Sequence, residues 1–202
     1  MAYLKVILLA YLIGSSSMSF YLSKLNHVDL TKKGSKNLGA SNTMILMGWK
    51  AGILVALHDI LKAVLAIYLA SQIAGDLPYI RAIAGVACVY GHIFPFYLKF
   101  KGGKGFASFI GMTLALNWKF ALALIVIIII VTLITDYIVS GTLTSITITP
   151  IFFGIYNHNI YLALIILLAS LVILYKHREN IPRIINGTEI GLRKAHRGDY
   201  RK

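Results

Sequence analysis

The sequence predicts an all-α integral membrane protein with about seven transmembrane helices, one of them short. Of its 202 residues, 58% are hydrophobic and 13% are charged, and the mean hydropathy is +0.77. A soluble domain carries about one-quarter charged residues, which supply its polar outer surface. Apolar runs also recur along the chain at lengths close to that of a bilayer crossing. These observations exclude a soluble globular fold.

Seven apolar runs support this fold in chain order. They are separated by short polar breaks and occupy residues 3–22, 51–74, 80–98, 106–116, 120–134, 138–156 and 160–175. A spanning helix needs roughly 20 apolar residues, within a usual range of about 17 to 25. The run 106–116 is too short by this measure. Either residues 102–105 extend it, or it is half-buried or re-entrant, which a membrane tolerates only where protein or water covers the backbone.

The first run also fits a secretory signal peptide, because Lys5, an apolar stretch and the small residues 14–17 match that template. The basic residues favour a retained span. If the loops alternate across seven spans, one side receives only Lys5, Arg81 and Lys119, and the other receives the basic tail 176–202 and eight lysines. Those eight are Lys24, Lys32, Lys33, Lys36, Lys50, Lys99, Lys101 and Lys104. The positive-inside rule then places the N-terminus outside and the C-terminus in the cytoplasm.

The composition also limits the partners and cofactors. The net charge of +13 follows from this topology and from attraction to anionic lipid headgroups, and no nucleic-acid partner is expected. The single cysteine, Cys88, can form neither a disulfide framework nor a Cys-based metal site. His58 beside Asp59 is only one pair of potential ligands, so no metal and no other cofactor is expected.

Three polar segments lie on the predicted cytoplasmic side. In residues 32–42, Gly34 and Gly39 allow unusual backbone conformations, while Ser35, Asn37 and Asn42 offer hydroxyl and amide groups. Such a loop can wrap a phosphate or a polyol. It equally fits an ordinary solvated turn followed by a helix cap.

The second segment covers residues 91–108. Residues 101–105, KGGKG, combine close backbone approach with ammonium groups, and a helix that starts just beyond them adds unpaired N–H groups. This pattern is typical of an anion site, although the P-loop spacing is absent. His92 is more often a hydrogen-bonded structural histidine than a catalyst, and Pro95 is expected to kink the span.

The third segment covers residues 176–189. If the last span continues helically to about Asn180, His177 and Asn180 share one face, and Pro182 makes Ile181 a helix boundary. Glu179 and Arg183 can pair on another face with a structural role only.

A fourth polar group lies within an apolar run. His58, Asp59 and Lys62 share nearly one face of the second predicted span, and ionisable groups at membrane depth are functional candidates. A mutually neutralising Asp59 and Lys62 pair that orients helices is an equally good interpretation.

These segments resemble the bacterial acyl-phosphate:glycerol-3-phosphate acyltransferases. The resemblance rests on GSKNLGASN at 34–42, GHIFPFYLKFKGGKG at 91–105 and HRENIPRIINGTE at 177–189, with a weaker match in GSSSMSFYLSKL at 14–25. It implies one polytopic domain over residues 1–202 in the bacterial cell (inner) membrane. The active site would face the cytoplasm and include the start of the basic tail.

The implied reaction moves a fatty acyl group from acyl phosphate to the 1-hydroxyl of glycerol 3-phosphate, giving lysophosphatidic acid and phosphate in phospholipid biosynthesis. An acyl phosphate is already activated, so positioning and charge stabilisation can supply much of the rate. Membrane lipids are expected partners, and the acyltransferase that produces acyl phosphate is a candidate partner.

The resemblance also implies the roles of individual residues. Those expected to be catalytic are Ser35, Lys104, His177 and Asn180. Those expected to bind substrate are Asn37, Gly39, Asn42, His92, Gly102, Gly103, Gly105, Thr188 and Glu189. His177 is the expected acceptor of the hydroxyl proton, because imidazole titrates near neutrality. The departing phosphate is the alternative acceptor.

Two positions depart from the family pattern. Ile45 and Asp136 stand where the family usually has arginines, and lysine cannot fully replace a bidentate arginine. Three interpretations follow: the ordinary acyltransferase with other cations such as Lys36 compensating, a related acyltransferase with another acceptor, or a non-catalytic lipid-binding or transport protein.

Overall fold

The structure, a computed structural model, describes residues 1–75 and 77–193, and these residues form helices and loops without a strand. The predicted all-α fold is confirmed. The α-helices are α1 Ala2–Ser15, α2 Met18–Leu25, α3 Ala40–Met47, α4 Trp49–Ala74, α5 Ile80–Ile93, α6 Phe106–Leu116, α7 Trp118–Thr135, α8 Ile138–Tyr156, α9 Ile160–Lys176 and α10 Asn180–Ile185, with a 3-10 turn at Phe96–Leu98.

The chain divides into two compact units, Met1–Leu116 and Asn117–Lys202. The first contains α1 to α6 and the second α7 to α10. Residues 194–202 of the predicted basic tail lie outside the described residues.

Five stretches of the described chain are long and apolar enough to cross a membrane. They are Ala2–Leu25, Trp49–Ala74, Ile80–Leu98, Trp118–Thr135 and Ile138–Tyr156, with shorter apolar helices at Phe106–Leu116 and Ile160–Lys176. Helix α6 has 11 residues and starts at Phe106, so the interpretation that residues 102–105 extend this helix is wrong. At about 1.5 Å per residue, α6 is much shorter than the hydrocarbon layer.

Glycines bring α1 and α5 into close contact in the first unit. A Cβ on Gly14 would lie 2.1 Å from the carbonyl oxygen of Cys88, and one on Gly91 would lie 2.2 Å from that of Tyr11. Small residues at such crossings let membrane helices approach by their backbones. The same close approach occurs between α6 and α4, where a Cβ on Gly111 would lie 2.2 Å from the carbonyl oxygen of Ile60.

The first apolar run is broken after α1. Ser16 and Ser17 adopt extended backbone torsions, and the Ser17 hydroxyl accepts the Phe20 N–H at 3.3 Å to begin α2. Two carbonyls left at the break find side-chain donors: the Tyr97 hydroxyl donates to Ser15 at 2.8 Å, and Lys62 Nζ donates to Ser16 at 2.7 Å. Backbone groups inside a membrane need such partners because no water replaces them.

Helix α5 ends at Ile93, two residues before Pro95. The prediction that Pro95 kinks a continuous helix is therefore wrong, because the proline follows the end of the helix. The N–H groups of Gly102 and Gly103 donate to the carbonyls of Ile93 and His92 at 3.0 and 3.2 Å. The Tyr11 hydroxyl donates to the Phe94 carbonyl at 2.7 Å. The glycine-lysine loop is thereby fastened to the end of α5.

In the second unit, α8 packs against α7 and α9. The rings of Phe120 and Phe152 stack with centroids 3.7 Å apart. Helix α9 ends at Lys176, and Pro182 lies in the first turn of the separate helix α10, where a proline is tolerated. The expectations that α9 continues to Asn180 and that Ile181 is a helix boundary are therefore wrong.

We expect Gly14→Ala to lower the stability of the detergent-solubilised protein by about 1–3 kcal/mol, because the new methyl group overlaps the α5 backbone. Thermal unfolding measures the loss. Gly154→Ala is the control, since its Cβ would meet only the Ala163 methyl group, at 3.0 Å. Equal unfolding temperatures for the two variants would contradict the close crossing of α1 and α5.

Candidate active site

Asn42, in the first turn of α3, organises the loop that precedes it. Its Oδ1 accepts the Ser35 N–H at 2.8 Å, and its Nδ2 lies 2.9 to 3.2 Å from the carbonyls of Leu30, Lys33 and Asn37. The side chain is fully buried. Its hydrogen-bonding capacity is therefore directed at the loop backbone, which makes Asn42 a positioning residue for residues 30–37.

The other polar residues of this loop lie around that clamp. Ser35 and Asn37 are half-buried, and Gly39 begins α3, where its carbonyl accepts both the N–H and the hydroxyl of Thr43 at 3.0 Å. Gly34 has a φ of +60°, and a Cβ there would lie 2.2 Å from Asn42 Oδ1. The loop needs glycine at position 34 because the clamp fills the space beside it.

An exposed ion pair stands beside this loop. The hydroxyl and N–H of Thr31 donate to Asp29 Oδ1 at 2.6 and 2.9 Å, and these bonds hold the pKa of Asp29 below its usual range. Lys32 Nζ lies 3.6 Å from the other carboxylate oxygen. The pair is solvated, so it contributes little to stability.

The loop of residues 101–105 packs on His92. A Cβ on Gly103 would lie 2.1 Å from His92 Nε2 and 2.5 Å from the Leu38 carbonyl, so only glycine fits there. The N–H groups of Gly102 and Gly103 donate to carbonyls at the end of α5, and the contacts of these glycines with phosphate stay a prediction. Lys104 is half-buried, and Gly105, at φ +91°, leads directly into α6.

Ser108 was not predicted as a site residue. It lies in the first turn of α6, three residues after Gly105, and its hydroxyl is buried without a hydrogen-bond partner in the described part of the chain. The first N–H groups of a helix also lack intrahelical partners, and they favour anions. A serine three residues after the last glycine of a glycine-lysine loop, at the start of an apolar run, is the sequence signal that could have indicated it.

A buried ionic cluster joins α4 to α5 and to the break after α1. Lys62 Nζ lies 2.7 Å from Asp59 Oδ1 and 2.9 Å from His92 Nδ1, in addition to its bond to the Ser16 carbonyl. His58 lies between Asp59 Oδ1, at 3.3 Å, and the Ser16 hydroxyl, at 3.0 Å. The sequence predicted the Asp59 and Lys62 pair, but the contact with His92 was not predicted.

In the second unit, His177 and Asn180 share the turn between α9 and α10. The Asn180 N–H donates to the His177 carbonyl at 2.9 Å, and both side chains are buried. His177 Nδ1 lies 2.8 Å from the Ile173 carbonyl. A carbonyl can only accept, so Nδ1 carries a proton and the lone pair of the neutral ring is on Nε2.

Glu189 returns to this turn from the following loop. Its Oε1 accepts from Asn180 Nδ2 at 2.7 Å, while Oε2 is buried without a hydrogen-bond partner among the described residues. Thr188 is exposed, with its N–H bonded to the Arg183 carbonyl at 2.8 Å. Glu179 and Arg183 form the expected exposed pair at 3.2 Å.

The two positions that depart from the family pattern have local structural roles. Ile45 is 7% exposed and packs within the first unit from α3. Asp136 has a φ of +69° and accepts the Arg193 N–H at 2.9 Å, while Arg193 Nε lies 3.8 Å from the same oxygen. Asp136 therefore holds the segment that follows Gly191.

Within residues 1–75 and 77–193, no group of three or more His, Cys, Asp or Glu side chains is arranged to hold a metal ion.

The sequence profile of the glycerol-3-phosphate acyltransferase family matches residues 4–187. The chain belongs to this family. Relatives named glycerol-3-phosphate acyltransferase include one from Shouchella clausii, 37% identical over 94% of this chain and 96% of its own length. Another, from Bacillus subtilis, is 37% identical over 91% of this chain and 94% of its own length. The predictions of this family and of an acyltransferase are confirmed.

Two solved structures of a family member extend the similarity to the fold. Both are crystal structures of PlsY (YgiH), described as an integral membrane glycerol 3-phosphate acyltransferase. The glycerol 3-phosphate form is 30% identical, with a TM-score of 0.88 over 95% of this chain and 96% of its own. The lysophosphatidic acid form is 29% identical, with a TM-score of 0.86 over 96% and 98% of the two chains. This acyltransferase is therefore an integral membrane protein.

We expect Asn42→Ala to destabilise this acyltransferase, because each buried loop group left without a partner costs about 1–3 kcal/mol. Asn42→Asp should also destabilise it, since a carboxylate can still accept from Ser35 but faces three carbonyls. Hydrogen exchange over residues 30–37 measures the loosened loop. Asn26→Ala is the control, because that exposed amide donates only to the Leu22 carbonyl. Unchanged protection in both Asn42 variants would contradict the positioning role.

Proposed function

We propose that this acyltransferase moves a fatty acyl group from acyl phosphate to the 1-hydroxyl of glycerol 3-phosphate. The hydroxyl oxygen attacks the acyl carbonyl, the bond from that carbon to the phosphate oxygen breaks, and lysophosphatidic acid and phosphate leave. Family membership and the names of the relatives support the acceptor. The observation that carries the proposal is the 2.8 Å contact of His177 Nδ1 with the Ile173 carbonyl, from which we infer a proton on Nδ1 and a lone pair on Nε2.

His177 is proposed as the base that takes the proton of the attacking hydroxyl. The bond from Nδ1 to the Ile173 carbonyl fixes both the tautomer and the ring orientation. A ring held in this way needs little reorganisation when a hydroxyl donates to Nε2. The departing phosphate remains the alternative proton acceptor.

Asn180 and Glu189 are proposed to bind the acceptor's hydroxyl groups. Glu189 accepts from Asn180 Nδ2, so the orientation of the amide is fixed. Glu189 Oε2, which has no hydrogen-bond partner in the described part of the chain, can accept a hydrogen bond, and a polyol supplies the donor. This carboxylate favours the glycerol end of the acceptor over its phosphate.

Lys104, Gly105 and the start of α6 are proposed to hold phosphate in the first unit. Lys104 supplies a positive charge, and the first turn of α6 adds N–H groups and the Ser108 hydroxyl. Developing charge on a departing phosphate is stabilised by such fixed donors. Ser35 and Asn37, presented by the loop that Asn42 holds, are proposed as further polar contacts to substrate.

The proposed setting is the bacterial cell (inner) membrane, with seven spans, the N-terminus outside and the active site facing the cytoplasm. The support comes from the positive-inside rule applied to the loops. It also comes from the five long and two shorter apolar helices.

We expect purified protein to release phosphate from a long-chain acyl phosphate only when glycerol 3-phosphate is present, with lysophosphatidic acid formed in equal amount. Lys104→Met should abolish most of this activity, since it removes the proposed phosphate cation. Lys99→Met is the control, because Lys99 is exposed and lies outside the proposed contacts. Full activity in Lys104→Met would contradict the role of Lys104 as the phosphate cation. A wild-type protein that releases no phosphate under these conditions would instead support a non-catalytic lipid-binding protein.

We expect His177→Gln to lower kcat about 10²- to 10⁴-fold, the usual contribution of a positioned general base. Arg178→Gln, one residue along and exposed, should stay near wild type. A small loss of kcat in His177→Gln would assign proton removal to the departing phosphate.

A second acceptor is favoured by one observation, the absence of arginine at positions 45 and 136. Ile45→Arg tests it through the KM for glycerol 3-phosphate. We expect a gain below about tenfold if cations such as Lys36 already serve the acceptor, since tenfold corresponds to one weak charged contact. A much larger gain would show that the present site is not built for glycerol 3-phosphate. Ile45→Met controls for the change in packing.

A further inference from the structure

Asp59 and Lys62 have no assigned role in the proposed reaction, and they form a buried cluster with His92, a residue expected to bind substrate. Asp59 is 2% exposed, Lys62 is 5% exposed and His92 is 6% exposed. Burying an ion pair rarely adds stability over apolar residues of similar size. The contact of this pair with His92 therefore indicates a role other than stability.

The bonds of Lys62 determine where His92 carries its proton. An ammonium group has three donors and no acceptor, and Lys62 directs them at the Ser16 carbonyl, Asp59 Oδ1 and His92 Nδ1. At 2.9 Å from this donor, Nδ1 must supply a lone pair. Asp59 Oδ1 lies farther from Nδ1, at 3.4 Å, and already accepts from Lys62 at 2.7 Å. The proton of the neutral imidazole is thus on Nε2.

Nε2 faces the glycine-lysine loop. The Cβ position of Gly103 lies 2.1 Å from Nε2, which places the ring directly against this loop. Within the described residues, the hydrogen bond and the ion pair of His92 are made through Nδ1, so an Nε2–H donor is available to a bound group at this loop. An oxygen of a phosphate held by residues 104 and 105 is an acceptor of the required chemistry.

We propose that Asp59 and Lys62 are positioning residues that hold His92 with its proton on Nε2, so that His92 donates a hydrogen bond to the substrate phosphate at the glycine-lysine loop. Asp59 neutralises Lys62, and Lys62 fixes the ring. This inference rests on the proposed phosphate site. It adds two residues to that site which do not touch substrate and act through His92.

The ¹⁵N spectrum of histidine-labelled protein in detergent tests the tautomer without any activity measurement. The His92 signals, assigned by their loss in His92→Leu, should show a protonated Nε2 and an unprotonated Nδ1. A proton on Nδ1 in the wild-type protein would overturn the proposal, whatever the enzyme does.

Kinetics test the route through His92. Asp59→Leu/Lys62→Met removes both charges with side chains of similar size, which a core tolerates better than one unpaired charge. We expect the KM for acyl phosphate to rise about tenfold or more, the value of a hydrogen bond to a charged group, with a smaller change in kcat. In a His92→Leu background the same pair replacement should add little, because the donor is already absent. If the pair replacement raises the KM as much in the His92→Leu background as in the wild type, the pair has a structural role only and the proposal is overturned. An unchanged KM after the pair replacement in the wild-type background would overturn it as well.

Asp29→Asn/Lys32→Met is the matched control. It removes an exposed pair at the same sequence spacing, and the new amide oxygen can still accept from Thr31. Its kinetics should match the wild type. If the wild-type protein makes no lysophosphatidic acid, the proposed function fails. Titration of His92→Leu and wild type with inorganic phosphate then decides the His92 contact alone, and equal affinity would overturn it.

Discussion

Breaking an apolar helix inside a membrane leaves carbonyl groups without donors, and the first unit is arranged around supplying those donors. The carbonyls at the end of α1 receive a tyrosine hydroxyl and the ammonium group of Lys62. Those at the end of α5 receive the Tyr11 hydroxyl and two glycine N–H groups. A buried carbonyl that water does not reach needs such a donor where the chain breaks. Both helix ends are therefore fixed to neighbouring segments.

This requirement separates polar residues that hold the backbone from those that remain for chemistry. The N–H groups of Gly102 and Gly103 cap α5, and the Asn42 amide bonds to the backbone of its own loop. Next to each lies a residue with a proposed substrate contact, Lys104 in one loop and Ser35 in the other. A motif in sequence mixes these two classes, because both are polar and adjacent. Only the hydrogen-bond partners distinguish them.

The sequence predicted the helices well, because an apolar run of bilayer length specifies a helix almost by itself. It missed the break at Ser16 and Ser17, which no proline marks, and it wrongly continued α9 through His177. It identified Asp59 and Lys62 as a pair because i and i+3 share a helix face. Their contact with His92 joins residues 30 positions apart, and local periodicity carries no information on such contacts.

The two departures from the family pattern differ in physical character. At position 136 the acidic side chain has its own cation and its own backbone donor, both from Arg193, so its charge is locally compensated. At position 45 a buried isoleucine stands where the family usually has an arginine, so this position supplies no positive charge. Lys36 has a left-handed backbone next to Ser35 in the loop that Asn42 clamps, and it is exposed. An exposed lysine contributes charge but not a bidentate fork, so the proposed acceptor site relies more on the proposed hydroxyl contacts of Asn180 and Glu189 than on a guanidinium.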